Sequence, residues 1–131
     1  MATCTDNKPW VCEVHFAYDD KLNIYFISKP SRRHSREIAL NPNVAGNIVK
    51  QHQPGEKPRG VYFEGTAELL ENVDQNHPAY LKYDERFKRG PNILNEAQEL
   101  DGHKFYKITP TNFVLFDTVN FPENSRQEWR P

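Results

Sequence analysis

Residues 9–28 read PWVCEVHFAYDDKLNIYFIS, and the fold follows from how this stretch is understood. Trp10, Cys12, Val14 and Phe16 alternate with Val11, Glu13 and His15. That period of two predicts a half-buried strand from Pro9 to Tyr18. Asp19–Lys21 supply the polar turn, and Leu22–Ser28 form a second run rich in β-branched and aromatic residues. Two such runs on either side of a tight turn predict a hairpin, and hence an antiparallel sheet.

The next stretch, KPSRRHSREIALNP (residues 29–42), ends the second strand at Lys29 and Pro30. Ser31 is expected to cap a helix running to about Leu40, since a serine hydroxyl can accept from a free first-turn amide. Asn41 precedes Pro42, where a helix stops. Further on, Asn43–Lys50 reads as a strand, Gln51–Pro58 as an exposed loop, and Arg59–Glu71 as a long strand in which Gly65 marks a bulge or a close backbone approach. Residues Asn76–Asn92 place Pro78 early and Gly90 late, the asymmetry of a helix. Pro91 is expected to open a short further helix through Leu100. His103–Thr109 and Asn112–Val119 return to strand, with Pro110 and Thr111 as the turn between them. The polar tail from Asn120 carries Phe121 and Trp129. Six strands joined mostly by short turns predict a mostly β, or α+β, domain spanning residues 1–131: a small antiparallel barrel with helices packed outside.

Composition narrows the function classes. The 131 residues hold 17 basic and 18 acidic side chains, a net charge of −1, which favours neither nucleic acid nor an anionic membrane as a partner. No apolar run approaches membrane-spanning length. The start MATCTDNKPW is polar, without the pattern of a signal peptide, so a cytoplasmic protein with free thiols is expected. Cys4 and Cys12 fit neither a redox pair nor a zinc site, and the five histidines show no paired ligand spacing, so no metal is expected. Phosphate-loop, dinucleotide, nucleophile-elbow and zinc-protease signatures are absent.

One local feature stands out against this neutral background. Arg32, Arg33, His34 and Arg36 crowd the expected helix start, where unpaired amides and the helix dipole already favour anions. Ser28, at the preceding strand end, adds a hydroxyl. Together they can form a phosphate cradle; the plain alternative is a solvated basic face paired with Glu37. His15 can be exposed or can line a ligand groove.

The series PWVCEVHFAYDDKLNIYFIS, RHSREIALNPNVA, RGVYFEGTAEL and FYKITPTNFVLFD resembles, in order and spacing, the pyridoxamine 5'-phosphate oxidase-like family of flavin-binding split barrels. The resemblance implies a six-stranded antiparallel split barrel (Greek key) working as a homodimer, with flavin mononucleotide (FMN) in a groove between subunits. It puts the phosphate contacts on Arg33 and His34, the strand-end hydroxyl on Ser28 beside Ile27, and the isoalloxazine ring beside Glu13, Val14, His15 and Phe16. Gly60 falls where some members use a polar side chain. Phe116 and Arg126 align with an aromatic residue and an arginine of the true oxidases. The sequence departs from the oxidase motif in having Arg32 in place of its serine and His34 in place of its lysine, so phosphate affinity is expected to depend on pH. The implied activity is a flavin-dependent oxidoreductase; the alternative is a non-catalytic ligand-binding or stress-related module holding flavin, deazaflavin or haem.

Overall fold

A computed structural model describes all residues, 1–131. Strand β4 (Ile24–Ser28) accounts for the apolar run of the second predicted strand. Ile24, Tyr25, Phe26 and Ser28 are all buried, so the strand has both faces covered. It lies between β3 (Phe16–Tyr18) and the long β7 (Lys104–Asp117), antiparallel to both. The remaining strands are β1 (Ala2–Thr5), β2 (Lys8–Val11), β5 (Asn43–Val49), β6 (Arg59–Leu69) and β8 (Arg126–Trp129). The order across the sheet is β2-β1-β5-β6-β7-β4-β3, with β8 also on β7.

The expected Pro9–Tyr18 strand is two strands. Its first half is β2, paired with β1 through a two-residue turn in which Asp6 and Asn7 both have positive φ (51° and 57°), the geometry that matches strand twist. Its second half is β3, at the opposite end of the strand order. Residues 12–15 cross between them. The alternation of apolar residues continues through the crossing, so periodicity alone cannot see the break. Pro9, which lacks an amide donor, suits the edge strand it occupies.

One further expectation is corrected. Pro110 and Thr111 do not turn the chain: β7 runs straight through them and accommodates Thr111 as an extra residue, since Glu64 pairs with Asn112 and Gly65 with Pro110. Gly65 is the predicted close approach, because a Cβ there would lie 2.4 Å from the Thr109 carbonyl oxygen. The tail is not purely irregular, since Arg126–Trp129 form β8 and Trp129 stacks on Phe113 with centroids 5.6 Å apart. With Pro9–Tyr18 split in two, the last two expected strands merged into β7, and β1 and β8 added, the sheet has eight strands rather than six.

Helix α1 (Arg33–Leu40) starts one residue later than expected, with Arg32 rather than Ser31 as its N-cap and no side-chain cap. The Ser31 hydroxyl instead donates to Asp101 Oδ2, at 3.0 Å. Helix α2 (Pro78–Phe87) begins with Pro at N1, capped by His77 Nδ1, which accepts from the Ala79 amide at 3.1 Å. Helix α3 (Asn92–Glu96) is shorter than the expected Pro91–Leu100. Alternation along β4 divides the core. Ile24 and Phe26 join Ile38, Phe63, Tyr106 and Ile108 on one face, and Tyr25 joins Tyr83, Ile93 and Phe105 beneath α2 and α3 on the other.

Candidate functional site

The site begins where β4 ends and α1 starts. Ser28 is buried, and its Oγ lies 2.7 Å from His34 Nε2 while accepting from the Ser35 hydroxyl at 3.0 Å. A Ser28 proton donated to His34 completes a chain of donors in one direction, and suits a neutral imidazole. Burial lowers the His34 pKa, the Arg32 charge and the N-terminal amine push the same way, and Glu37 opposes them weakly. The partial charge expected of His34 at neutral pH is therefore suppressed in the ligand-free protein. Its ring is tilted against Phe26, centroids 6.4 Å apart.

Arg33 and Glu37, four apart on α1, form the predicted pair, with Nε donating to Oε1 at 2.8 Å. Glu37 is buried and also accepts from the buried Thr3 hydroxyl on β1. Those two hydrogen bonds, Thr3 first and Arg33 second, hold its carboxyl below the usual range. The Arg33 guanidinium lies 4.3 Å from the centre of the Trp10 ring. Arg36 donates to the Ser31 carbonyl. Arg32 is exposed and joins no ion pair, and the first turn of α1 holds no acidic residue and no side-chain cap. The helix start thus keeps free amides and one free cation beside an anchored arginine, a donor set that fits a phosphate-like anion.

The expected ring-side stretch lies across the β2–β3 crossing. Glu13 and His15 are exposed, Val14 and Phe16 half-buried. Arg86, from α2, is the residue that sequence reasoning missed here. Its Nη1 donates to the Phe16 carbonyl at 2.7 Å, and its guanidinium covers the Phe16 ring at 4.6 Å. The two residues are 70 apart in the chain, so no local pattern joins them. His15 lies beside Phe87, ring centroids 5.7 Å apart. A cavity of about 260 Å³ opens against Glu13, Val14 and Phe16, with Asn47 opposite. It shares Phe16, Ile24 and Ile48 with an apolar cavity of about 700 Å³ that runs on to Phe113 and Trp129.

The remaining expected positions separate into two places. Ile27 pairs with Phe105 and packs into the core beneath α2 and α3, next to the Ser28 end of β4. Gly60, Phe116 and Arg126 sit side by side across β6, β7 and β8, since Gly60 pairs with Phe116 and Phe116 with Arg126. A Cβ on Gly60 would lie 2.9 Å from the Ile48 carbonyl oxygen, so a polar side chain there would force the strands apart. Ser28 pairs with Lys104 at one end of β7, and Phe116 lies twelve residues further along it. At about 3.3 Å per residue, the strand carries these groups roughly 40 Å apart along its length. Within one chain the two groups sit at opposite ends of β7.

No helix is long and apolar enough to cross a membrane. A sequence model described as pyridoxamine 5'-phosphate oxidase matches residues 1–116. UPF0306 protein plu4501 of Photorhabdus laumondii is 26% identical over 88 residues, an alignment covering 66% of this chain and 61% of that protein, so the chain spans less than two thirds of that relative's length. The crystal structure of HutZ, the heme storage protein from Vibrio cholerae, superposes with a TM-score of 0.63 at 19% identity, covering 83% of this chain and 78% of that one. A FAD-binding protein from Mesorhizobium loti superposes with a TM-score of 0.62 at 22% identity, covering 86% of this chain and 77% of the other. The ordered sequence motifs, the eight-stranded antiparallel sheet and the match over residues 1–116 make this chain a member of the pyridoxamine 5'-phosphate oxidase family, with that family's split-barrel fold.

Proposed function

We propose that this chain binds FMN as a homodimer and acts as a flavin-dependent oxidoreductase. The observation that carries the reading is the start of α1: uncapped amides, free Arg32 and anchored Arg33, next to Ser28 and His34. These groups would hold the phosphate. Glu13, Val14, His15 and Phe16 would flank the ring, with Arg86 fixing the carbonyl and ring of Phe16. When bound, the flavin supplies the hydride and electron chemistry, and the protein supplies binding, orientation and electrostatics. The separation of the α1 start from Gly60, Phe116 and Arg126 supports a dimer, because a second copy can bring the far group of one chain to the near group of the other.

A second reading keeps the fold and removes turnover: a module that holds flavin, deazaflavin or haem. The 700 Å³ cavity favours it, being lined by nine apolar residues with only Gln127 and Glu128 as polar company and no acid–base pair.

The visible spectrum of the protein, loaded with FMN and then desalted, tests both. A retained flavin band that bleaches with reduced nicotinamide and recovers in air supports the oxidoreductase. A retained band without turnover, or a Soret band on titration with haemin, supports the module. A protein that releases added FMN on desalting refutes the cradle. Sedimentation of the loaded protein as a monomer refutes the dimer.

A further inference from the structure

We infer that Trp10 positions Arg33 for anion binding, through a grip that the β1–β2 hairpin makes on α1. The inference rests on the phosphate-cradle reading above and identifies what keeps the cradle in shape.

The grip is made of two pairs. Thr3 and Trp10 are directly opposite in the β1–β2 ladder, so their side chains lie together on one face. Arg33 and Glu37 are one turn apart on α1. Thr3 donates to Glu37, Glu37 accepts from Arg33 Nε, and Trp10 lies against the Arg33 guanidinium. Burial does not explain the presence of β2. All four of its residues are exposed, and it pairs only with β1. Its contact with α1 is made by Trp10.

The consequence is an arginine held on two sides. A planar guanidinium stacked on an indole and bonded through Nε has its plane and its tilt defined. Nε is the only nitrogen of Arg33 with a hydrogen-bond partner, so Nη1 and Nη2 remain open. Those two groups form an edge that binds a phosphate with two parallel bonds. The side chain is 42% exposed, so that edge can be reached. A flexible arginine loses rotamer freedom when it binds; one already held loses less. On this basis the stack contributes about threefold to tenfold in affinity for a phosphate-bearing ligand.

The test compares FMN with riboflavin, which has the same ring and no phosphate, by quenching of flavin fluorescence. The variants are Trp10→Ala, Trp10→Phe and Arg33→Ala, each checked for an unchanged far-ultraviolet circular dichroism spectrum. Trp10→Ala should raise the Kd for FMN about threefold to tenfold and leave that for riboflavin unchanged, and Trp10→Phe should restore most of the loss. In the ligand-free protein the Arg33 Nε–H resonance should carry an indole ring-current shift in the wild type that is lost in Trp10→Ala. If Arg33→Ala loses the preference for FMN while Trp10→Ala binds FMN like the wild type, the cradle stands and the role of Trp10 is overturned. If neither the wild type nor Arg33→Ala distinguishes FMN from riboflavin, the cradle falls and this inference falls with it.

Discussion

Replacing Gly65 by alanine tests the irregularity that sets the register of β7. A Cβ there would lie 2.4 Å from the Thr109 oxygen and 2.8 Å from Pro110 Cα, against 3.4–4 Å for ordinary contact. Both neighbours are backbone atoms, so no rotamer change relieves the clash. The strands must separate by about 1 Å, at an overpacking cost of about 1–3 kcal/mol. Each ladder hydrogen bond broken in the process adds about 1 kcal/mol. We expect a loss of about 3 kcal/mol in all. With a urea slope of about 1–3 kcal/mol per molar for a domain of this size, the unfolding midpoint should fall by roughly 1–3 M. Gly55→Ala serves as the control, because nothing lies within 4 Å of its Cβ position and only the backbone strain of φ +90° is at stake. The same bulge sets which residues of β6 face Asn112–Asp117, and so aligns Gly60 with Phe116 and Arg126. A Gly65→Ala midpoint no lower than that of Gly55→Ala would refute both the tight approach and its role in that alignment.

Three further outcomes are expected. Arg33→Ala should weaken FMN at least tenfold, since a charge-assisted pair contributes about 1.5–3 kcal/mol, with riboflavin unaffected; equal affinities for the two flavins in the wild type would contradict this. The lowered pKa of His34 means that the unfolded chain takes up its proton first as the pH falls below about 6.5. Stability should therefore decline from about pH 6.5 down to the folded-state pKa, and should be insensitive to this group above that window. Urea midpoints between pH 7.5 and 5.5 check it, and an identical slope in His34→Gln would sink the assignment. Tyr25→Phe should cost about 1 kcal/mol, because the Tyr25 hydroxyl donates to Asp19 Oδ2 at 2.8 Å and the same carboxylate accepts from the Asn23 amide, closing the β3–β4 turn. Thermal unfolding at the wild-type temperature would show that this bond contributes nothing.

Much of the fold was legible in the sequence because its signals are local. The alternation in β5 and β6, the apolar run of β4 and the Pro78–Gly90 frame of α2 each depend on neighbours a few residues away. So does the Arg33–Glu37 pair, fixed by one helical turn. Gly65 was readable because an isolated glycine in a strand pattern marks close backbone contact. The basic helix start was visible as charge placed where a helix already favours anions.

Tertiary structure decided everything that depends on which strand lies beside which. Period-two alternation states that one face is buried, but it does not name the partner. That is why Pro9–Tyr18 could read as one strand while its halves lie at opposite ends of the sheet order. The same break lets Trp10 meet Arg33 rather than continue toward Phe16. His34 illustrates the limit for chemistry: the sequence placed a titratable ring at the helix start, and only its burial against Phe26 and Ser28 determined its charge. Arg86 reached Phe16 from 70 residues away, across a contact no local pattern encodes. By itself the sequence determined the elements, the barrel class and the location of the positive charge, because propensity, pattern and helix electrostatics act over a few residues. The pairing of distant strands decided which cations are free, which are held, and what holds them.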